Sequence, residues 1–201
     1  MRKKILFLSL SGVILMGGCE KRLVEFPLPI NRTDTFQLDE ADGNFDETVM
    51  LTTNDIKNAI KVHEDAEITF VRIEALAVKV TVKTGNEAES INVTGEIVEN
   101  GGPTIMFENF IISLAENSEI QPAFVGINPL ALQGISRLKA KLEGFIFGLD
   151  YQSFDIRVRG SSSPVGQRVV VDLQLRIKAS LTYERCVDVA TSFIEGGEPC
   201  E

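Results

Sequence analysis

The clearest pattern along the chain lies between Arg168 and Tyr183. Val169, Val171, Leu173, Leu175, Ile177, Ala179, Leu181 and Tyr183 fall on one side of a two-residue repeat, and Arg168, Asp172, Gln174, Arg176, Lys178, Ser180 and Thr182 on the other. A period of two predicts a strand with one buried and one wet face. Leu76, Val78, Val80 and Val82 alternate in the same way with Lys79, Thr81 and Lys83, while the phase blurs near Phe70-Val71-Arg72-Ile73, where a bulge or bend is expected. Further strands are predicted at 91–98, with Ile91, Val93, Gly95 and Ile97 inward, at 104–115, with Phe110, Ile112 and Leu114 inward, and at 145–160, with Phe154, Ile156 and Val158 inward. A short first strand is predicted at Thr35–Asp39, followed by an acidic loop at 39–47.

Two stretches change to helical spacing. From Thr52 or Thr53 as cap, with Asp55 in the first turn, Ile56, Ala59, Ile60 and His63 share a stripe and predict a helix of about 10–12 residues. Asn128-Pro129 then reads as a helix start. Leu132, Ile135, Leu138, Lys139 and Leu142 follow at helical spacing, and Gly144 is placed to end the helix.

One-sided alternation decides between architectures. Buried parallel strands would be apolar on both faces, so a doubly wound α/β fold is not expected. An outer-membrane barrel needs an apolar outer band with aromatic girdles, whereas this chain has 2 Tyr and no Trp, with Arg and Lys on the wet side of its best strand. The fold class expected is mainly β, of the α+β type: an antiparallel β-sandwich or strongly curved sheet with two short helices.

Composition narrows the chemistry. The 201 residues carry 20 Lys+Arg against 29 Asp+Glu, a net charge of -9, which phosphate backbones would repel, so no nucleic-acid partner is expected. The one His, His63, falls near the end of a predicted amphipathic helix and gives Ser161, Ser162 and Ser163 no plausible base, so no catalytic residue and no cofactor are assigned. Ser136 and Lys139 have the SxxK spacing and Lys83-Thr84-Gly85 reads KTG, but their order is reversed and no SDN lies between them.

The N-terminus has the plan of a secretory signal: Arg2, Lys3 and Lys4, a mostly apolar run from Ile5 to Met16, then Gly17, Gly18 and Cys19. Twelve helical residues reach about 18 Å, short of the roughly 30 Å bilayer core. Leu15-Met16-Gly17-Gly18-Cys19 resembles the lipobox of bacterial lipoprotein precursors, with Met16 where Leu is commoner. The resemblance covers nineteen residues. It implies cleavage after Gly18, acylation of Cys19 and attachment to a cell-envelope membrane. Glu20 stands where enterobacterial lipoproteins kept at the inner membrane commonly have Asp, which favours the outer membrane. Loss of residues 1–18 would remove three basic and no acidic side chains, so the acyl chains, not charge, would hold the remaining chain to lipid.

With Cys19 lipidated, Cys186 and Cys200 remain as a pair in an oxidising compartment. A disulfide pinning the tail is one reading and a pair of free thiols for redox or metal binding is the other. The domain reading is a signal peptide at 1–18, a lipidated N-terminus and Pro-containing tether at 19–33, one β-rich domain at 34–186 and a pinned tail at 187–201.

Few residues propose a site. Asp42, Asn44 and Asp46 have the first spacings of a calcium loop, but Glu47 replaces its Gly and Thr53 its final Glu, leaving only a weak candidate for that cation. Phe124 and Val125 lie in a stretch without periodicity and are candidates for an apolar contact. Two functions follow: a non-enzymatic envelope protein that binds another protein through its surface, or a carrier of an apolar ligand. The second rests on a likeness of element order to tubular lipid-binding lipoproteins, and needs an unfilled apolar interior.

Overall fold

The alternating segment at 168–183 forms the spine of the molecule. The computed structural model describes residues 19–60, 66–114, 124–128, 130–150, 152–190 and 200. Strand β8 (Val169–Ala190) pairs antiparallel with β1 (Cys19–Glu40) along its whole length, from Cys19 opposite Ala190 to Glu40 opposite Val169. On its other side it pairs with β3 (Glu67–Val82), and β3 carries the two-residue β6 (Val125–Gly126). The second sheet is built from β2 (Asn44–Leu51), β4 (Ser90–Glu99), β5 (Gly102–Ser113) and β7 (Phe154–Ser163). The orders are β1-β8-β3-β6 and β2-β7-β4-β5. Helix α1 (Thr53–Ala59) joins β2 to β3, and α2 (Leu132–Ile146) joins β6 to β7. Eight antiparallel strands in this order, split into two four-stranded sheets, make a jelly-roll β-sandwich.

The inward set of each strand is largely the one its alternation predicts. Leu173, Leu175 and Leu181 from β8 and Leu76, Val78 and Val80 from β3 face Ile91, Val93, Ile97, Phe154, Ile156 and Val158 of the other sheet, all of them buried. The bulge expected near Phe70 is present, with register shifts in the β3–β8 ladder between Ile68 and Phe70 and between Ile73 and Ala75.

Several expectations are corrected. Residues 19–33 are not a tether but the first part of β1. Pro27 and Pro29 lie opposite Thr182 and Ser180 on an edge strand, the position where a missing N–H is tolerated. The strand expected at 35–39 is therefore 22 residues long. The acidic loop at 39–47 shrinks to a turn at 41–43, since β2 begins at Asn44 and buries Phe45. Residues 187–190 continue β8 and do not belong to a separate tail. Phe145 is helical, so β7 starts at Phe154 and not at 145.

The helices differ at their ends. Thr52 caps α1 with a reciprocal capping box to Asp55, as the spacing predicts, but the helix closes at Ile60 after seven residues, and His63 lies outside the described residues. Helix α2 starts after Ala131, whose methyl side chain offers no acceptor for a cap, and the Ala131 N–H donates to the Met106 carbonyl of β5. Asn128 is exposed and caps nothing. Nor does Gly144 end the helix. It is buried where a Cβ would lie 2.7 Å from that of Asp150, and the chain leaves the helical path after Phe147, at Gly148 with φ 68°.

Pairing fixes which features share an end. The β1–β2 turn, the 83–89 loop and the 164–168 loop lie at one end; α1, α2 and the β4–β5 turn lie at the other, together with Cys19. Glu67, where β3 begins, is level with Glu184 and Glu25, so residues 19–24 and 185–190 extend past the sheet as a two-stranded ribbon about 20 Å long. Cys186 and Cys200 are disulfide-bonded across 14 residues, and the Cys200 N–H donates to the Lys21 carbonyl, which fastens Cys200 to the ribbon.

Gly134 tests how closely α2 sits on β5. Ala for Gly inside an exposed helix adds about 1 kcal/mol of stability. Here the new Cβ would lie 2.1 Å from the Ile105 carbonyl oxygen. Gly134→Ala is expected to destabilise by about 1–3 kcal/mol in urea unfolding, the opposite sign.

Candidate functional site

The wet face of the second sheet holds the most organised polar surface of the described residues. Alternation sends Asn44 and Asp46 of β2, Arg157, Arg159 and Ser161 of β7, and Asn92, Thr94 and Glu96 of β4 to this side, away from Phe45, Val158 and Val93. The strands are in register, with Asn44 beside Ser161, Asp46 beside Arg159, and Thr94 also beside Arg159.

Four charges here form a compensated chain. Glu96 is 2% exposed, and its Oε1 accepts from Arg159 Nε at 2.9 Å and Nη2 at 2.8 Å. Arg157 approaches the other Glu96 oxygen at 3.7 Å and grips Asp46 with two parallel N–H donors. Those bonds hold the Asp46 carboxyl below its usual range and raise the Arg157 guanidinium. Two acids and two bases cancel, so this chain of four side chains is polar with little net charge.

Beside this chain lies an open cleft of about 660 Å³, towards the end opposite Cys19. Glu40, Asn44, Asp46, Asn92, Thr94, Asn109, Arg159 and Ser161 line it. A bulge on β5 shapes one wall. Val93 pairs with Phe110 and Gly95 with Phe107, so Glu108 and Asn109 together oppose Thr94. Asn109 takes φ 52°, a left-handed conformation that Asn tolerates better than most residues, and its Oδ1 accepts from Asn92 Nδ2 at 3.3 Å. Asn92 Oδ1 is itself buried and has no hydrogen-bond donor. Gly160 pairs with the inward Phe45 and Val93 and leaves them room: a Cβ there would meet the Asn92 carbonyl oxygen at 1.9 Å and the Phe45 ring at 2.5 Å.

A second polar cluster ties the helical end together. Lys141 is buried on α2 and its Nζ donates to Glu99 at 2.7 Å and Asp150 at 2.6 Å, while Arg137 also pairs with Glu99. Burial works to raise the Glu99 carboxyl and to lower the Lys141 ammonium. The hydrogen bonds outweigh it in both, so Glu99 is held below its usual value and Lys141 above. The bonds from Lys141 and the Gln152 N–H likewise hold Asp150 low. This cluster clips α2 to the β4–β5 turn and to the segment entering β7, a structural task.

The residues proposed from the sequence are placed as follows. Asp42 Oδ1 accepts from the Asn44 N–H within the turn, and Asp46 is engaged by Arg157. The calcium reading therefore loses Asp46 to Arg157, and among the described residues no group of three or more His, Cys, Asp or Glu could hold a metal. Phe124 is half-buried on the wet face of the first sheet, its ring centroid 3.4 Å from the Arg176 guanidinium carbon and 5.7 Å from Lys79 Nζ. It is neither core nor a free apolar contact; Val125 beside it is exposed. Ser136 and Lys139 lie on α2, where Lys139 pairs with Glu143.

Sequence reasoning missed Asn92, Thr94, Asn109, Arg157, Arg159 and Ser161. Each reads singly as the wet side of a strand, and they converge only through the β2-β7-β4-β5 order. The one local signal was the lapse of alternation at Met106–Phe107, both buried, ahead of Asn109.

No protein-family model and no curated protein matches the chain. Similar solved structures include the decameric BFDV capsid protein, with TM-score 0.38, 10% identity, 79% of this chain covered and 99% of that one. Desmodium yellow mottle tymovirus has TM-score 0.30 and 10% identity, with 96% of each chain covered. Turnip yellow mosaic virus has TM-score 0.31 and 13% identity, covering 82% of this chain and 99% of that one. At those values the likeness adds nothing to the strand order itself. Among the described residues no helix is long and apolar enough to cross a membrane.

The helical-end cluster sets an acid response. Glu99 and Asp150 have depressed folded pKa values, so their contribution is present above their ordinary values of 4.5 and 3.8 and is lost as pH falls through the folded ones. Lys141→Met removes part of that depression. Its urea midpoint is expected to fall less than the wild type's between about pH 5 and pH 3.

Proposed function

We propose that the protein is a lipid-anchored component of a bacterial cell envelope, outer membrane in preference to inner, that binds a partner through its jelly-roll surface and carries out no chemistry. One observation carries this reading: three basic residues, an apolar run and Leu15-Met16-Gly17-Gly18-Cys19 stand in the order of a lipoprotein signal. Cys19 also opens the first strand at one end of the domain, which leaves the polar cleft of the second sheet at the end facing away from an anchor.

Surface binding is favoured over carriage of an apolar ligand by the interior. Phe107, Phe145, Phe154, Leu76, Ile97 and Leu173 are fully buried there. The clefts around Asn92 and around Lys141 are open and lined with polar side chains.

Cys19→Ser in the producing bacterium tests the anchor. The native protein is expected in the membrane fraction, with a mass increased by a diacylglyceryl and an acyl group. The variant is expected to lack both the added mass and the sedimentation. A variant that still sediments at unchanged mass overturns the reading.

A further inference from the structure

We propose that the cleft on the wet face of the second sheet is a binding site for a neutral, hydroxyl-rich ligand, a glycan chain. This deepens the reading of the domain as a binding module and does not depend on the acylation of Cys19.

The chemistry of the lining selects the ligand class. Around the cleft stand two carboxamides, Asn92 and Asn109, the amide of Asn44, and the hydroxyls of Thr94 and Ser161. Such groups donate and accept at similar separations, which suits vicinal hydroxyls that do both. A strong anion would find no matching field, because Arg159 is neutralised by Glu96 and Glu40 adds a carboxylate to the lining; a cation would find only that one carboxylate, since Asp46 is held by Arg157. Breaking either pair to admit a charged ligand would leave a carboxylate or guanidinium unpaired, and Glu96 is fully covered.

One feature sets the cleft apart from a plain strand face. Asn109 holds a left-handed backbone in a bulge that turns its amide onto Asn92, a distortion a plain edge strand does not need. The site is also stiff. The Arg157 and Arg159 pairs fix the β7 side chains, so little order remains to be imposed on binding. Phe45 is buried beneath the cleft and offers no face for stacking, which predicts weak binding, with Kd near ~1 mM.

The test uses the protein as purified from its own cells, in a detergent without a sugar headgroup. Side-chain amide and backbone NMR signals are followed during titration with cellotetraose, maltotetraose and tetra-N-acetylchitotetraose, and separately with inorganic phosphate and with calcium chloride. Saturable shifts of Asn92, Thr94, Asn109 and Ser161 with at least one sugar, and none with phosphate or calcium, are expected. Asn109→Gly keeps the left-handed backbone and removes only the amide; it is expected to weaken that sugar at least about tenfold without loss of stability. Thr94→Val, of equal size, is expected to weaken it as well. The inference is overturned by absence of shifts with every sugar, by shifts with phosphate or calcium at these residues, or by unchanged sugar affinity in both variants. The Cys19→Ser experiment reads mass and sedimentation, so anchor and cleft fail separately.

Discussion

The ladder between β1 and β8 is the constraint on which the rest of the structure depends. It joins residues as far apart as Cys19 and Ala190 and makes β8 an interior strand, held on both sides by β1 and β3. Because side chains alternate, a slip of one residue in this ladder would turn Leu173, Leu175 and Leu181 towards water and Arg176 and Lys178 into the core. Hydrophobic burial thus sets the register of the first sheet. The three-residue turn at 41–43 then carries that register into the second sheet through β2. Nearly every stabilising contact is consequently non-local, and closing such loops before the contacts repay them makes for slow folding.

What was legible in the sequence follows from burial on one face. β8, β3 and β4 face the core along most of their length, and their alternation marks them. β1 hides because it is an edge strand, where Pro27 and Pro29 are permitted and the ribbon beyond β3 has little core to face. β2 hides because its outward acids resemble a solvated loop until Arg157 is brought beside Asp46, 111 residues away. The ends of α2 mislead for a similar reason. Gly134 and Gly144 are glycines demanded by neighbours, Ile105 and Asp150, and say nothing about where the helix starts or stops. The cleft was not legible at all, since a polar residue on a strand has the same appearance whether water or a ligand is its partner.

The two wet faces of the sandwich are built differently. On the first sheet, Arg176 and Lys79 spread over the Phe124 ring, an arrangement of soft, long side chains over an apolar group. On the second, short amides and hydroxyls sit beside guanidinium–carboxylate pairs of fixed geometry, one carboxylate wholly covered. A covered ion pair is poor evidence for stability, because desolvation offsets most of the attraction. It does fix orientation, since neither partner can swing away without stranding the other. The second sheet therefore has the surface whose side-chain positions are determined before anything binds.

Orientation extends to the whole domain. A flexible segment at 19–33 would let the sandwich tumble beneath its attachment point, with the cleft pointing in all directions. A paired ribbon, tied by the Cys186–Cys200 bridge and by the Cys200 bond to Lys21, has no such freedom along its length. If Cys19 is moored in lipid, the ribbon stands between bilayer and sandwich, and the cleft is carried at the far end. The same ladder that sets the core register then also sets the distance of the polar face from the membrane. On that reading the first strand has two tasks, and only the second would require it to run past the sheet.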